Sequence, residues 1–444
     1  MSATFKGGLH IHDYKEFTNK VPVRALPGCP EHVFPLRQHI GAPIFPIVHA
    51  GDKVCVGQKI ADAEEFMSVP LHSSISGTVK ELRKSVQSNG TTVDAIVIEN
   101  DGQDTLWEGI HPAQTYYELT SKEALWVIRE AGIVGMGGAG FPTHVKLATD
   151  KKIKFLIVNG AECEPFLTSD HRRMLEHPDE IIDGLKIAMH VLGLREGYIG
   201  IESNKKDGIS ALRSSKRYNT KIHIETLKTK YPQGAEKQLI KAITGRSVPP
   251  GKLPADVGAV VLNIDTVFAI SRAFRTGMPA VRRVVTVSGD CVKNPSNFDV
   301  PTGVPVSYLF EQAGGFTAQP QKIIMGGPMM GFTQFSLDTP VTKTTSSVLA
   351  LEKAPQIYDP DAPCIRCGKC VSHCPMQLMP NYLSKFALEG NVEMADRYHL
   401  LDCIECGLCS YLCPAKQNML HNIRVMKPEV AAYRKKKQEE KFHG

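Results

Sequence analysis

Cys364-Ile365-Arg366-Cys367-Gly368-Lys369-Cys370-Val371-Ser372-His373-Cys374-Pro375 recurs in pattern as Cys403-Ile404-Glu405-Cys406-Gly407-Leu408-Cys409-Ser410-Tyr411-Leu412-Cys413-Pro414. In each run two residues separate the first three cysteines, three precede the fourth, and proline closes the run. Thiolates in this doubled pattern are the ligand set of two 4Fe–4S clusters, and the fourth cysteine of each run serves the cluster built mainly by the other run. Cys364, Cys367, Cys370 and Cys413 are therefore assigned to one cluster, and Cys403, Cys406, Cys409 and Cys374 to its partner. Three closely spaced thiolates can close around one corner of a cubane, and the proline then turns the chain away. Zinc also uses Cys-x-x-Cys. A pair of zinc sites, however, leaves the repeated three-residue gap and the proline unexplained. The segment reads as an electron carrier.

The chain of 444 residues exceeds a single core and suggests roughly two to four domains. Apolar content of 42% and charged content of 22% fit a soluble globular protein and argue against a disordered one. The net charge of +6 is mild and owes much to Tyr433-Arg434-Lys435-Lys436-Lys437. Basic residues are not interleaved with stacking aromatics, so nucleic acid is not an expected partner. No stretch reaches the ~18 consecutive apolar residues of a membrane span, and the N-terminus lacks the apolar core of a secretory signal. Cluster ligands require a reducing compartment, so a cytoplasmic location is expected. The remaining Cys29, Cys55, Cys163 and Cys291 are scattered and read as buried reduced thiols.

Residues 1–115 read as β, with short runs such as Ala95-Ile96-Val97-Ile98 between Gly and Pro punctuation. Gly51-Asp52-Lys53-Val54 through Gly57-Gln58-Lys59-Ile60-Ala61, and Ser73-Ser74-Ile75-Ser76-Gly77-Thr78-Val79, resemble a biotinyl/lipoyl-type hammerhead, a barrel-sandwich fold. That fold normally offers a lysine at its hairpin tip, and residues 64–74 contain none, so a scaffold or docking role is expected. Residues 116–280 alternate helix and strand. Thr120-x-x-Glu123 is a capping box ahead of Ala124, Leu125, Ile128 and Ala131, and Gly132 ends that helix. Strands at 155–158 and 198–201, with helices at 177–192 and 234–244, imply a mostly parallel sheet. Residues 281–338 resemble a small β-grasp domain. Residues 339–363 are rich in Thr, Ser, Pro and Asp and read as a linker. Residues 364–425 form a ferredoxin-like domain with helices near 382–388 and 392–399, and 426–444 a charged tail. The fold class is thus multidomain α/β and α+β.

Such clusters take one electron at a time, so a two-electron donor needs a converter, usually a flavin. The best candidate site is Gly135-Met136-Gly137-Gly138-Ala139-Gly140-Phe141-Pro142, followed by Lys146. Glycines let backbone N–H groups approach a phosphate, and the lysine adds charge. This is not a Rossmann fingerprint, because no strand leads into it and the spacing is not G-x-G-x-x-G. It is followed by Asn159-Gly160-Ala161-Glu162-Cys163-Glu164-Pro165, Tyr231-Pro232-Gln233-Gly234-Ala235-Glu236 and Asn263-Ile264-Asp265-Thr266. In this order the motifs resemble the NADH-oxidising flavoprotein subunit of respiratory complex I. With the hammerhead-like module and the two cluster runs, residues 1–425 are similar to the C subunits of the Rnf family of ion-translocating ferredoxin:NAD oxidoreductases.

The resemblance implies a noncovalent FMN. Its phosphate would lie near Gly135, Gly137, Gly138, Gly140, Lys146, Asn263 and Thr266, and its ring near Asn159, Glu162, Tyr231, Gly234 and Glu236. Phe141 and Glu164 would contact the nicotinamide of NADH. It also implies partner subunits, integral membrane and iron–sulfur ones included, and a peripheral place on the cytoplasmic side of the membrane. The chain departs from the complex I pattern at Met136, Ala161 and Ala235, where that subunit has an arginine and two acids, and after Lys146, where it has an adenine-stacking aromatic. Two rival readings share the motifs: a soluble reductase of the cobalamin-reductase type, and a non-enzymatic carrier. Anaerobically reconstituted protein should hold about eight iron per chain, the count for two four-iron clusters. About four iron, or zinc in its place, would contradict the pairing.

Overall fold

The computed structural model describes residues 3–113, 115–352 and 362–443. The hammerhead module is two facing β-sheets. One orders strands Glu31–Pro35, Thr92–Asn100, Gly77–Val86 and Lys53–Val54; the other orders Phe45–Pro46, Lys59–Asp62 and Leu71–His72. Phe34, Ile60, Ile75, Ile96 and Ile98 are fully buried in its core. Alternating side chains from each strand supply that core, as sheet-on-sheet packing requires.

The central domain holds four parallel strands in the order Ile222–Leu227, Gly197–Glu202, Phe155–Gly160 and Ala259–Asn263. The capping box forms: the Thr120 hydroxyl accepts from the Glu123 N–H at 3.3 Å, and Glu123 accepts from the Thr120 N–H at 2.7 Å. The helix expected at 177–192 runs Pro178–Val191 and buries Ile181, Ile182 and Leu185. It packs against helix Ile264–Thr276 so closely that a Cβ on Gly184 would lie 1.8 Å from the Val267 carbonyl oxygen. Only glycine fits there.

Three boundaries differ from expectation. The β-grasp sheet has six strands, ordered Val23–Ala25, Ser296–Pro301, Arg282–Ser288, Ser347–Leu351, Lys322–Met325 and Phe332–Thr333. Its fully buried strand Ser347–Leu351 comes from the stretch read as linker, as do buried Thr339, Val341, Lys343 and Thr345. The polar composition misled because Lys343 is buried yet satisfied, donating to the Pro70 and Gly132 carbonyls at 2.7 and 2.8 Å. The rest of that stretch, 353–361, lies outside the described residues. The first strand of this sheet, Val23–Ala25, comes from the N-terminal segment, which does not join the hammerhead. Instead residues 3–25 form a strap across the central domain: Leu9 and Tyr231 exchange both backbone hydrogen bonds, at 2.9 and 2.8 Å.

The tail is also ordered. Met419–His443 is one helix, and its Ile423, Met426 and Val430 pack with Leu383, Phe386, Ala395 and Leu400 in the core of the cluster domain. The helices expected near 382–388 and 392–399 are Pro380–Leu388 and Val392–Arg397. Removing residues 426–444 should therefore cost the domain its iron, because it strips Met426 and Val430 from the core. Removing only 437–444, beyond the ion pair of Arg434 with Asp396, should leave the iron content of purified protein unchanged.

Candidate flavin and iron–sulfur sites

Chain order in the parallel sheet reverses beside strand Phe155–Gly160: the next two strands are laid on one side and Ala259–Asn263 on the other. Ligands of open α/β sheets bind outside the carboxyl ends of the strands at such a switch point. Asn159 and Asn263, at the ends of the two flanking strands, are register partners. The Asn159 amide donates to the Gly234 carbonyl at 2.8 Å, and the Asn159 side-chain oxygen accepts from the Ala161 N–H at 3.1 Å. Asn263 caps its helix by accepting from the Asp265 N–H, and its amide donates to Asp170 at 2.7 Å. The sequence motifs from 135, 159, 231 and 263 thus meet at one sheet edge.

The glycine-rich loop is held against that edge from both ends. Gly135 N–H donates to the Phe141 carbonyl at 2.8 Å, and Met136 N–H donates to the Thr266 hydroxyl at 3.0 Å. Buried Arg283 of the β-grasp domain donates to the Met136 carbonyl at 3.2 Å and pairs with Asp265. Burial alone would raise the Asp265 carboxyl, but the Arg173 and Arg283 guanidiniums hold it below its usual range. A Cβ on Gly137 would stand 2.8 Å from the Asn263 amide nitrogen, whereas that of Gly138 would meet open space. A Cβ on Gly234 would strike the Ala161 carbonyl oxygen at 2.2 Å. These glycines bring bare backbone to the site, as a phosphate cradle needs.

Two of the expected site residues have partners within the protein. The Lys146 ammonium donates to Glu236 at 2.6 Å, uniting residues assigned to opposite ends of the flavin. Glu164 is engaged at both oxygens, by the Met329 N–H at 3.1 Å and by the Tyr231 hydroxyl at 3.4 Å. Burial raises its carboxyl to about 7. It is thus wedged between the central domain and the 326–331 turn of the β-grasp domain. Phe141 is half-buried at the rim of the loop.

Two residues escaped the sequence reading. Asp170, at the start of helix Ser169–Glu176, is raised to about 7 by burial and then by the nearby Glu162 and Asp265 carboxylates. Gln233 is fully buried with neither amide atom hydrogen-bonded, and Glu162 Oε2 is likewise buried without a hydrogen-bond partner. Orphaned polar atoms of this kind carry a cost, and their concentration among the 159 and 231 motifs is what a polar ring system such as a flavin would satisfy. The residues present fit FMN.

The cysteines divide by environment. A small, largely apolar cavity of ≈ 20 Å³ is lined by Cys374, Cys403, Cys406 and Cys409 together with Leu378, Leu383, Leu408 and Ile423. Burial and then the neighbouring Cys403 and Cys374 push the Cys406 thiol up to about 12. Thiolates crowded into such a pocket need a cation to neutralise them, which suits an iron cluster. No group of three or more potential ligands among the described residues converges to metal-binding distance. Of the other four, Cys364 and Cys367 are exposed, while Cys370 and Cys413 are half-buried. The first cavity abuts the flavin motifs directly: the buried Tyr231 hydroxyl donates to the Cys406 carbonyl at 2.7 Å. Ile11, Tyr231, Met329, Cys406 and Leu408 form one apolar cluster around that bond. Of the scattered cysteines, Cys29 and Cys291 are buried and Cys55 half-buried, while half-buried Cys163 accepts the Gly234 N–H at 3.4 Å.

Four domain families match the chain: RnfC barrel sandwich hybrid domain over residues 3–103, Nuo51 FMN-binding domain over 128–272, SLBB domain over 284–333, and 4Fe-4S dicluster domain over 356–414. The chain is 45% identical over 436 residues to the C subunit of the Na(+)-translocating ferredoxin:NAD(+) oxidoreductase complex of Acetobacterium woodii, covering 98% of each. It is 46% identical over 433 residues to the C subunit of the proton-translocating ferredoxin:NAD(+) oxidoreductase complex of Clostridium ljungdahlii, covering 97% of this chain and 94% of that one. It is 40% identical over 407 residues to the C subunit of the ion-translocating oxidoreductase complex of Rhodobacter capsulatus, covering 90% and 78%. On identity sustained over nearly its whole length, the chain belongs to the family of C subunits of ion-translocating ferredoxin:NAD(+) oxidoreductase complexes.

Proposed function

We propose that this chain is the subunit at which NADH and an ion-translocating complex exchange electrons. The carrying observation is the join between the flavin motifs and a four-cysteine cavity through the Tyr231 hydroxyl and the Cys406 carbonyl, 2.7 Å apart. When bound, FMN would supply hydride exchange with NADH or NAD⁺ and one-electron release, and two 4Fe–4S clusters would carry single electrons onward. The protein's work is placement, and no side chain is assigned as a catalytic acid or base.

In this reading Gly135, Gly137, Gly138 and Gly140 offer backbone to the FMN phosphate, with Asn263 and Thr266 fixing the loop that does so. Asn159, Glu162, Gly234 and the Lys146–Glu236 pair border the flavin, and Phe141 covers the side where a nicotinamide would stack. Tyr231 closes the floor toward Cys374, Cys403, Cys406 and Cys409, the ligands of the nearer cluster. Cys364, Cys367, Cys370 and Cys413 hold the outer cluster, whose two exposed cysteines face a partner iron–sulfur subunit. Among the described residues no helix is long and apolar enough to cross a membrane. Integral membrane partners at the cytoplasmic face hold the chain. Its relatives from complexes named for Na⁺ and for protons are 45% and 46% identical to it, so the similarity favours neither ion.

Anaerobic NADH should bleach the flavin first and then the broad cluster absorbance. Protein stripped of FMN with its iron intact should stay oxidised; clusters reduced by NADH at an undiminished rate would overturn the reading. Cys374→Ser should perturb the cluster of the second run and release roughly half the iron. If it instead spares that cluster and disturbs the one held by Cys364, Cys367 and Cys370, the crossed ligation is wrong.

A further inference from the structure

The N-terminal strap delivers one residue into the floor of the flavin site. Tyr14 takes a left-handed conformation, φ 49°, and its ring stacks on Phe166 at 4.7 Å, which drives Lys15 inward at the start of the turn Lys15–Phe17. Lys15 is 5% exposed, unusual for lysine. Its ammonium donates to the Glu164 carbonyl at 3.0 Å and to the Leu167 carbonyl, and lies 3.8 Å from Glu162 Oε2. Two carbonyls thus accept from the ammonium, and the Glu162 carboxylate faces it at ion-pair distance. The Asp13 carbonyl accepts the Phe166 N–H at 2.7 Å and the Thr18 and Thr168 hydroxyls are hydrogen-bonded at 2.7 Å, so strap and turn are stitched together on both sides of Lys15.

Glu162 has little other compensation. Its Oε1 accepts from the Ser169 hydroxyl at 3.2 Å and from the Asp170 N–H at 2.8 Å, and its Oε2 has no hydrogen bond at all. The second buried ammonium nearby, Lys205, is committed to Glu202 at 2.9 Å and reaches only the Glu162 backbone carbonyl, at 3.4 Å. Breaking a buried ion pair by removing one partner is strongly destabilising, because the other charge is left uncompensated.

We propose that Lys15 is a positioning residue of the flavin site, a counter-ion supplied from outside the flavin domain that holds the Glu162 carboxylate and its turn in the geometry FMN requires. The inference rests on the flavin reading above. It ties cofactor binding to seating of the strap, which also runs along the cluster domain, where the Gly8 N–H donates to the His373 carbonyl at 2.9 Å.

The test is a double-mutant cycle on the full chain, with FMN affinity read from flavin fluorescence and iron content as a check on folding. Lys15→Met should weaken FMN by about tenfold or more. Glu162→Gln should also weaken it, and the double variant should bind FMN no more weakly than Glu162→Gln alone, to within about twofold, because an amide needs no counter-ion. If Lys15→Met fails to fold, adding Glu162→Gln should recover iron-loaded protein. Lys15→Met that binds FMN like the wild type, effects that multiply in the double variant, or no recovery on adding Glu162→Gln would each overturn the proposal. Wild-type chain that takes up no FMN would overturn the flavin reading and this inference together, whereas tight wild-type binding with a silent Lys15→Met would overturn the inference alone.

Discussion

A buried hydrogen bond joins the two halves of the electron path. The Tyr231 hydroxyl is removed from water, and a phenol O–H so placed must find an acceptor or cost about 1–3 kcal/mol. It finds the carbonyl of Cys406, a residue whose side chain lines the cluster cavity. With the Gln238 amide donating to the Pro375 carbonyl at 3.2 Å, the bond helps set how the cluster domain sits on the flavin domain, and electron transfer falls steeply with distance, so that placement governs function. Much of the nearby structure converges on it: the strap pairs with the Tyr231 backbone, Glu164 approaches the same hydroxyl, and Ile11, Met329 and Leu408 exclude water around it.

That convergence gives the auxiliary domains a physical role. The β-grasp domain reaches the flavin loop through Arg283 and reaches Glu164 through the Met329 N–H. The hammerhead presents no lysine at its tip for a covalent cofactor, and it packs where Lys343 donates to its Pro70 carbonyl and to Gly132 of the central domain. Burial lowers the Lys343 ammonium to about 7, so this junction is stabilised by hydrogen bonds to carbonyls more than by charge.

What the sequence disclosed and what it hid follow one physical distinction. The cluster ligands, the glycine loop and the Thr120 capping box are local: spacing within a few residues states the chemistry. The crossed grouping of Cys374 with Cys403, Cys406 and Cys409 matches the residues that line one cavity. The strap and strand Ser347–Leu351 are illegible in the sequence because each is completed by partners far along the chain, as Val23 is by Asn297 and Val348 by Val287 and Met325. The helix Met419–His443 reads as a tail because its buried side, Met426 and Val430, is sparse among charges. Lys15 carries no motif at all. Its role arises from a left-handed turn at Tyr14 that composition does not reveal.

In the proposed arrangement one cluster would lie against the flavin motifs, ligated across the two cysteine runs. An anomalous-difference map at the iron edge, from anaerobically grown crystals of the cofactor-loaded chain, tests it most directly. The account predicts two groups of iron peaks, one filling the cavity lined by Cys374, Cys403, Cys406 and Cys409 beside Tyr231, with flavin density at the strand ends marked by Asn159 and Asn263. Iron bound by Cys403, Cys406, Cys409 and Cys413 with Cys374 free, or flavin density away from those strand ends, would contradict it.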